Sequence, residues 1–143
     1  MNRVQLGNSG LSVSPVAIGT WQLSPRFWGE QSKDDYVDAL RFAFAEGINL
    51  IDTAEAYGDG YAETVVGEAI TDLPRDELVI VTKVFNHFND DGTRYPDLSP
   101  EHIAARSTPR PGQDPRLWRQ QSQCRTASRP ASLWSLYRRP ATL

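Results

Sequence analysis

The first fourteen residues alternate apolar and polar positions around a cluster of turn-forming residues. Val4 and Leu6 precede Asn8-Ser9-Gly10, and Leu11 and Val13 follow it. Alternation at a period of two gives a strand one apolar face, and the glycine of the cluster can adopt the positive φ that a tight turn requires. The segment therefore predicts a β-hairpin.

Apolar runs of strand length then alternate with amphipathic segments. Buried-type strands are predicted over residues 16–18, 48–51 and 77–83. The first helix is expected to begin after its cap Ser32 and to end at Gly47, and the second carries an apolar stripe over 65–70 and ends before Pro74. Strands that alternate with helices through short connections favour parallel pairing with right-handed crossovers. The pattern predicts an α/β fold, either a barrel or an open doubly wound sheet.

The third strand is followed by residues 84–98, which are predicted to be a long loop. Long loops in compact domains are often functional. Ser99 is then expected to cap a short helix that has a proline at its first position. His87 in the loop and His102 in the first turn of that helix are expected to be solvent-facing, and no metal site is predicted.

Length and composition narrow the class of protein. The chain has 143 residues, enough for one domain with a core, but fewer than the roughly 250 of a closed eight-stranded α/β barrel. The only cysteine, Cys124, cannot form an internal disulfide, and the polar first residues lack the apolar region of a secretory signal. No apolar run approaches the roughly 18 residues of a membrane span. We therefore expect a cytoplasmic protein without membrane association.

The net charge of −3 conceals two chemically different parts. Residues 1–106 hold 8 basic and 17 acidic side chains, whereas residues 107–143 hold 7 arginines, a single acidic side chain and no Val, Ile, Phe, Lys or Glu. The second part has the composition of a disordered segment. We interpret 107–143 as a non-native, frameshift-like tail; the alternative of an arginine-rich nucleic-acid arm has the charge but no binding motif.

Polar side chains follow the second and third strands at their carboxyl ends. Asp52 comes after the second strand with Tyr57 five residues later, and Lys83 ends the third. The carboxyl ends of parallel strands meet at one edge, so these groups are expected to converge. A lysine ammonium stabilises a phenolate, and a carboxylate orients that ammonium. Each residue also has an ordinary explanation: a turn cap, a surface tyrosine and a lysine extending from a strand end.

The first strand ends in Gly19-Thr20-Trp21, which combines a small residue, a hydroxyl and an indole. Such a combination suits a flat ligand, although a simple turn beside the core would also explain it.

Taken together, the ordered motifs of residues 1–106 resemble the aldo-keto reductases. The resemblance is carried by Leu6-Gly7-Asn8-Ser9-Gly10-Leu11, Val13-Ser14, Gly19-Thr20-Trp21, Gly47-Ile48-Asn49, Asp52-Thr53-Ala54, Tyr57-Gly58 and Thr82-Lys83. Phe27-Trp28-Gly29 and the stretch from Asp52 to Gly60 are similar to the bacterial, potassium-channel-β-like branch.

The resemblance implies the first three βα units of a (β/α)8 barrel with an N-terminal hairpin, and NADPH-dependent reduction of aldehydes or ketones. It makes Tyr57 the proton donor, Lys83 the group that stabilises its anion, and Asp52 the residue that holds Lys83. It places Gly19, Thr20, Trp21 and Asp52 beside the cofactor, and Trp21 and Trp28 beside a small carbonyl substrate.

One departure from the family pattern limits the prediction. The family continues with a fourth strand ending in a catalytic histidine, but no histidine follows His102 in this sequence. We therefore expect a weakly active or inactive fragment. A non-enzymatic dinucleotide-binding regulatory subunit is the alternative, and oligomerisation is left open.

Overall fold

A computed structural model describes residues 1–89 and 91–106, and it begins with the predicted hairpin. Strand β1 (Val4–Gln5) pairs antiparallel with β2 (Ser12–Val13). The turn between them places Gly10 at a φ of 75°, which is the left-handed conformation that the sequence predicted. The tail predicted over 107–143, with its arginines and Cys124, lies outside the described residues.

Three parallel strands form the centre of the fold. They are β3 (Ala17–Gly19), β4 (Leu50–Asp52) and β5 (Val79–Val81), in the spatial order β3-β4-β5. The register aligns Gly19 with Asp52 and Asp52 with Val81, so the three strands end at the same level. The predicted strands and their parallel order are confirmed, with β4 in the middle and its Ile51 fully buried.

The expectation that the first of these strands is buried was wrong. Ala17 and Gly19 are exposed, Ile18 is only partly buried, and the preceding Val16 is 56% exposed. The reason is position, because among the described residues β3 lies at one edge of the sheet with β4 as its only strand neighbour. An apolar run indicates that a segment can be buried, but its actual burial depends on the strands and helices that cover it.

Two helices cover one face of the sheet. Helix α2 (Lys33–Ala45) begins after its N-cap Ser32, whose hydroxyl accepts a hydrogen bond from the Asp35 amide, and α3 (Tyr61–Ala69) packs against it. The apolar stripe predicted over 65–70 is confirmed as core. The buried cluster contains Val37, Leu40, Ile51, Val65, Val66, Ala69, Ile70 and Ile80. A shorter helix, α1 (Pro25–Trp28), and turns of 3₁₀ helix at Trp21–Leu23 and Arg75–Glu77 complete these connections. No helix in the described ranges is long and apolar enough to span a bilayer.

The predicted loop at 84–98 is instead a second hairpin. Strand β6 (Asn86–Phe88) pairs antiparallel with β7 (Arg94–Pro96), and helix α4 (Pro100–Arg106) follows. The turn is closed by the Gly92 amide, which donates to the carbonyl of Asn89, and Gly92 has a φ of 83°. The Asp91-Gly92 pair before Thr93 is a turn signal that favours this hairpin.

Asn49 joins the N-terminal hairpin to the sheet. Its side-chain carbonyl accepts from the Ser14 amide at 2.7 Å, and its side-chain amide donates to the carbonyls of Ser12 (3.1 Å) and Glu77 (2.9 Å). The side chain is almost completely buried, at 3% exposure. One amide therefore satisfies three backbone groups from two separate segments at the amino-terminal end of the sheet.

Replacing Asn49 with alanine is expected to lower the free energy of unfolding by about 3 kcal/mol, because buried backbone groups would lose their hydrogen-bond partners. Urea denaturation followed by far-ultraviolet circular dichroism measures the change. Asn2→Ala removes the same kind of side chain from an exposed position and should leave the urea concentration at the midpoint of unfolding unchanged. Equal transitions for the two variants would contradict a structural role for Asn49.

Candidate active site

The level ends of the three strands bring the predicted site residues together. Past the strands, the Thr20 amide donates to the carbonyl of Asp52 (3.0 Å) and the Thr53 amide donates to the carbonyl of Val81 (2.8 Å). The Glu55 amide donates in turn to the carbonyl of Lys83 at 3.3 Å. Backbone hydrogen bonds thus continue beyond the sheet and fix the loops that carry Asp52, Tyr57 and Lys83.

The ammonium group of Lys83 is the centre of this group. Its Nζ donates to Oδ2 of Asp52 at 2.7 Å, to the carbonyl oxygen of Thr53 at 3.0 Å and to the hydroxyl of Tyr57 at 3.2 Å. Three acceptors match the three N–H donors of a lysine. The structure therefore assembles the three residues that sequence reasoning grouped, although 26 residues separate Tyr57 from Lys83.

Two opposing effects act on the pKa of Lys83. Partial burial lowers this pKa, whereas the hydrogen bonds to Asp52 and Tyr57 and their charges raise it, and the net result lies above the ordinary value of 10.5. The group is consequently a stable cation at neutral pH. Its side chain is 48% exposed and that of Asp52 is 40% exposed, so a small molecule can reach the site from solvent.

A tight turn positions the Tyr57 side chain. The Tyr57 amide donates to the carbonyl of Ala54 and the Gly60 amide donates to the carbonyl of Glu55, at 3.0 and 2.7 Å. Gly58 has a φ of 67°, and a Cβ there would lie 3.0 Å from Cβ of Tyr61 and 3.3 Å from Cδ of Pro25. The turn therefore requires glycine, and the Tyr57 ring packs against the core with its hydroxyl at Lys83.

This geometry suits proton donation to an oxygen atom. The Tyr57 hydroxyl oxygen accepts a hydrogen bond from a cation, so its own proton is available to another acceptor, and negative charge left on the phenol oxygen would be stabilised by the adjacent Nζ. Asp52 holds the cation in place. The arrangement can thus serve general acid–base chemistry with an oxygen-containing substrate.

Two of the other predicted site residues, Gly19 and Thr20, lie beside Asp52. Gly19 ends β3 next to Asp52, and a Cβ placed on it would meet nothing within 4 Å. Thr20 is buried, and its hydroxyl donates to the carbonyl of Asp52. Trp21 is 46% exposed and its ring lies 5.8 Å from that of Trp28, which is 47% exposed, in an edge-on arrangement. The two predicted substrate residues therefore form one accessible aromatic surface.

The expectation of solvent-facing histidines was wrong. His87 is 9% exposed and stacks on Tyr95, and the side chain of His102 is 12% exposed. Both rings point their Nε2 atoms at the buried carboxylate of Glu55, at 2.9 and 3.1 Å. The sequence does not reveal this cluster, because the three residues are brought together by the β6–β7 hairpin, which was predicted to be a loop. No short sequence motif connects them.

A second buried carboxylate, Glu63 on α3, was also missed. Its Oε1 accepts a hydrogen bond from the Thr82 hydroxyl at 2.7 Å, and Glu63 is 2% exposed. Thr82 immediately precedes Lys83. The contact joins the residue that follows β5 to helix α3 and supports the position of Lys83.

Comparison with known proteins agrees with this architecture. The family model described as the Aldo/keto reductase family matches residues 15–108. A methylglyoxal reductase of Escherichia coli strain K12, named as NADH-specific, is 37% identical over 114 residues, which cover 72% of this chain and 35% of that protein. A potassium-channel-β-like protein of Schizosaccharomyces pombe is 43% identical over 105 residues, covering 68% of this chain and 28% of that protein.

Solved structures show the same relationship. An aldo-keto reductase from Bacillus halodurans, solved in its holo form, superposes with a TM-score of 0.63 at 29% identity, over 75% of this chain and 34% of that chain. A glycerol dehydrogenase from Gluconobacter oxydans gives a TM-score of 0.62 at 31% identity, over 74% and 33%. The chain thus spans about a third of the length of the relatives it matches. Its three βα units correspond to the first part of the fold of these relatives, as predicted. The chain belongs to the aldo/keto reductase family.

Proposed function

We propose that the group formed by Asp52, Tyr57 and Lys83 serves the reduction of an aldehyde or ketone to an alcohol by a nicotinamide dinucleotide. The observation that carries the proposal is the Lys83 ammonium, which bonds simultaneously to the Asp52 carboxylate at 2.7 Å and to the Tyr57 hydroxyl at 3.2 Å. A phenol that is bonded to a cation and reachable from solvent has the chemistry of a proton donor to a carbonyl oxygen.

Each residue has a defined part in this reaction. When bound, the nicotinamide nucleotide supplies the hydride that reaches the carbonyl carbon. Tyr57 donates its hydroxyl proton to the carbonyl oxygen, which becomes the alcohol, and the phenolate that remains is stabilised by Lys83. Asp52 holds the ammonium in position and balances its charge.

The residues proposed for the cofactor fit a flat ring. Gly19 leaves open space where other residues would have a side chain, and the half-exposed Trp21 lies at the same end of the sheet. Thr20 and Asp52 bond to each other through Thr20 Oγ1 and the Asp52 carbonyl, and so fix this edge of the site. NADPH is the proposed cofactor; NADH is the comparison to make, since the Escherichia coli relative is named as NADH-specific.

We propose that residues 1–106 are the barrel part of the chain and that 107–143 is a non-native tail. Both edges of the described sheet, β3 and β5, have one strand neighbour each among the described residues. Exposed strand edges favour association with other chains. The 143-residue chain alone is therefore expected to turn over slowly or not at all.

A regulatory subunit that binds the dinucleotide without turnover is the second candidate. The potassium-channel-β-like relative of Schizosaccharomyces pombe, at 43% identity, favours it. Saturable quenching of tryptophan fluorescence by NADPH, without aldehyde consumption by any form that carries residues 1–106, would support this alternative.

Tyr57→Phe is expected to lower turnover by about 10²–10⁴-fold, the usual contribution of a general acid. The measurement uses a chimera in which residues 1–106 replace the matching part of the Escherichia coli relative, with NADPH or NADH oxidation by an aromatic aldehyde followed at the nicotinamide absorbance band. Tyr36→Phe is the matched control, because that hydroxyl bonds to Gln31 and the Gln22 carbonyl instead.

Full turnover by the Tyr57→Phe chimera would overturn the assigned role of Tyr57. NADPH-dependent reduction by the 143-residue chain itself, abolished by Tyr57→Phe, would instead show that the chain is catalytically sufficient and contradict the expectation of weak activity.

The stability contributed by Lys83 is expected to depend on pH at the alkaline end. Its pKa in the folded chain is raised above 10.5, so the contribution is fully present below that value and is lost as the pH rises through the raised pKa. The difference in unfolding free energy between wild type and Lys83→Met should therefore be constant near neutrality and shrink above about pH 10.5.

Lys33→Met is the comparison for this series, because Lys33 forms an equally exposed pair with Glu68 and its pKa is also raised, so its contribution to stability should be small and should shrink over the same alkaline range. Denaturant titrations at several pH values measure both differences. A Lys83 difference that stays constant through the alkaline range would contradict the assigned ammonium.

The proposed frameshift predicts the nucleotide sequence across codons 100–143. An alternative reading frame should encode apolar strand patterns and a strand that ends in histidine, as the family pattern requires. Genomic sequencing of this region tests the prediction directly. Alternative frames without such a strand would make 107–143 a genuine part of the protein.

A further inference from the structure

Three side chains outside the proposed catalytic group direct one ligand atom each to a common point. Oε1 of Glu55 lies 2.9 Å from Nε2 of His87 and 3.1 Å from Nε2 of His102, and the two nitrogens are 2.7 Å apart. Glu55 and His87 are buried and His102 is largely so, with its side chain at 12% exposure. The three residues come from three elements: the loop after β4, strand β6 and helix α4.

With Glu55 as a carboxylate, hydrogen bonds cannot satisfy all three contacts at once. If both Nε2 atoms carry protons and donate to Glu55, two N–H groups face each other at 2.7 Å. If one Nε2 carries a lone pair, that lone pair faces the carboxylate oxygen of Glu55. A cation bound above the plane of the triangle would accept an electron pair from each of the three atoms, so with Glu55 as a carboxylate the geometry favours a metal over either imidazole tautomer.

The donor set indicates which metal. Two imidazole nitrogens and one carboxylate oxygen are a known ligand set for zinc, with a fourth position open to water. Ligand atoms around tetrahedral zinc lie about 3.3 Å apart, as follows from bond lengths of about 2.0–2.1 Å. The observed triangle would thus have to widen by a few tenths of an ångström.

Charged neighbours hold the ligands from outside. Oδ2 of Asp97 lies 3.8 Å from Nδ1 of His102, on the side of the ring away from the triangle. At 3.8 Å this contact is electrostatic and not a hydrogen bond, and it favours positive charge at the site. Arg106 places its Nε 3.2 Å from Oε2 of Glu55, the oxygen that does not face the histidines.

We propose that Glu55, His87 and His102 form a zinc site that fastens the β6–β7 hairpin and helix α4 to the loop carrying Tyr57. This inference goes against the sequence prediction of no metal site and does not depend on the proposed carbonyl reduction. The ion would link the loop after β4, strand β6 and helix α4 directly to one another. Its ligand Glu55 lies two residues from Tyr57, so the bound ion would restrict the same loop.

The test uses the full chain in a Cys124→Ser background, which removes the thiol as a competing ligand. Titration with Co²⁺ is expected to give one equivalent of binding with visible absorption of a four- or five-coordinate ion, and Zn²⁺ should displace it. His87→Gln and His102→Gln should each weaken binding by about tenfold or more. Glu68→Gln removes an exposed carboxylate elsewhere and should leave the titration unchanged.

A second measurement requires no ligand variant. The sequence contains two histidines, so both imidazole signals in a long-range ¹H–¹⁵N spectrum report on this site. One equivalent of Zn²⁺ is expected to shift both Nε2 resonances together and to raise the midpoint of thermal unfolding, with reversal by a chelator. Unchanged imidazole signals, a shift of only one ring, or equal Co²⁺ binding by the double glutamine variant would overturn the proposal.

Discussion

The in-register pairing of three parallel strands is the constraint on which the rest of the structure depends. Gly19, Asp52 and Val81 lie side by side across β3, β4 and β5, so the loops after these strands begin at one level. Hydrogen bonds from Thr20 and Thr53 extend this alignment beyond the strands. A slip of one residue would turn every side chain of the strand to the opposite face and separate Asp52 from Lys83.

The two ends of this sheet are stabilised in different ways. At the amino-terminal end, the buried amide of Asn49 makes direct hydrogen bonds to backbone groups, whose loss would leave them unsatisfied. At the carboxyl end, the Lys83–Asp52 ion pair is about half exposed, and such pairs add little to stability. The ion pair is therefore better explained by the position it gives to the Tyr57 hydroxyl than by its contribution to folding.

The sequence alone was sufficient to predict the features that depend on a local pattern or on the order of the strands. Alternation predicted the first hairpin, the apolar stripe at Val65, Val66, Ala69 and Ile70 predicted a buried helix face, and the rule that parallel strand ends meet predicted the approach of Lys83 to Asp52. It failed where the outcome depends on distant neighbours. The burial of β3 depends on which strands flank it, and the grouping of His87 and His102 on Glu55 depends on a hairpin that was assigned as loop. Contacts between residues 32 and 47 positions apart leave no periodic signal in a single sequence.

The loop from Thr53 to Gly60 is constrained from two sides, and this clarifies how its chemistry depends on the fold. Lys83 binds the Thr53 carbonyl and the Tyr57 hydroxyl on one side, while His87, His102 and Arg106 surround the Glu55 carboxylate on the other. Displacing β5 would release the first set of contacts, and displacing the β6–β7 hairpin or α4 would release the second. The Tyr57 hydroxyl is consequently positioned by elements that lie after it in the chain. The role proposed for it therefore depends on the assembled strands and not on the loop sequence alone.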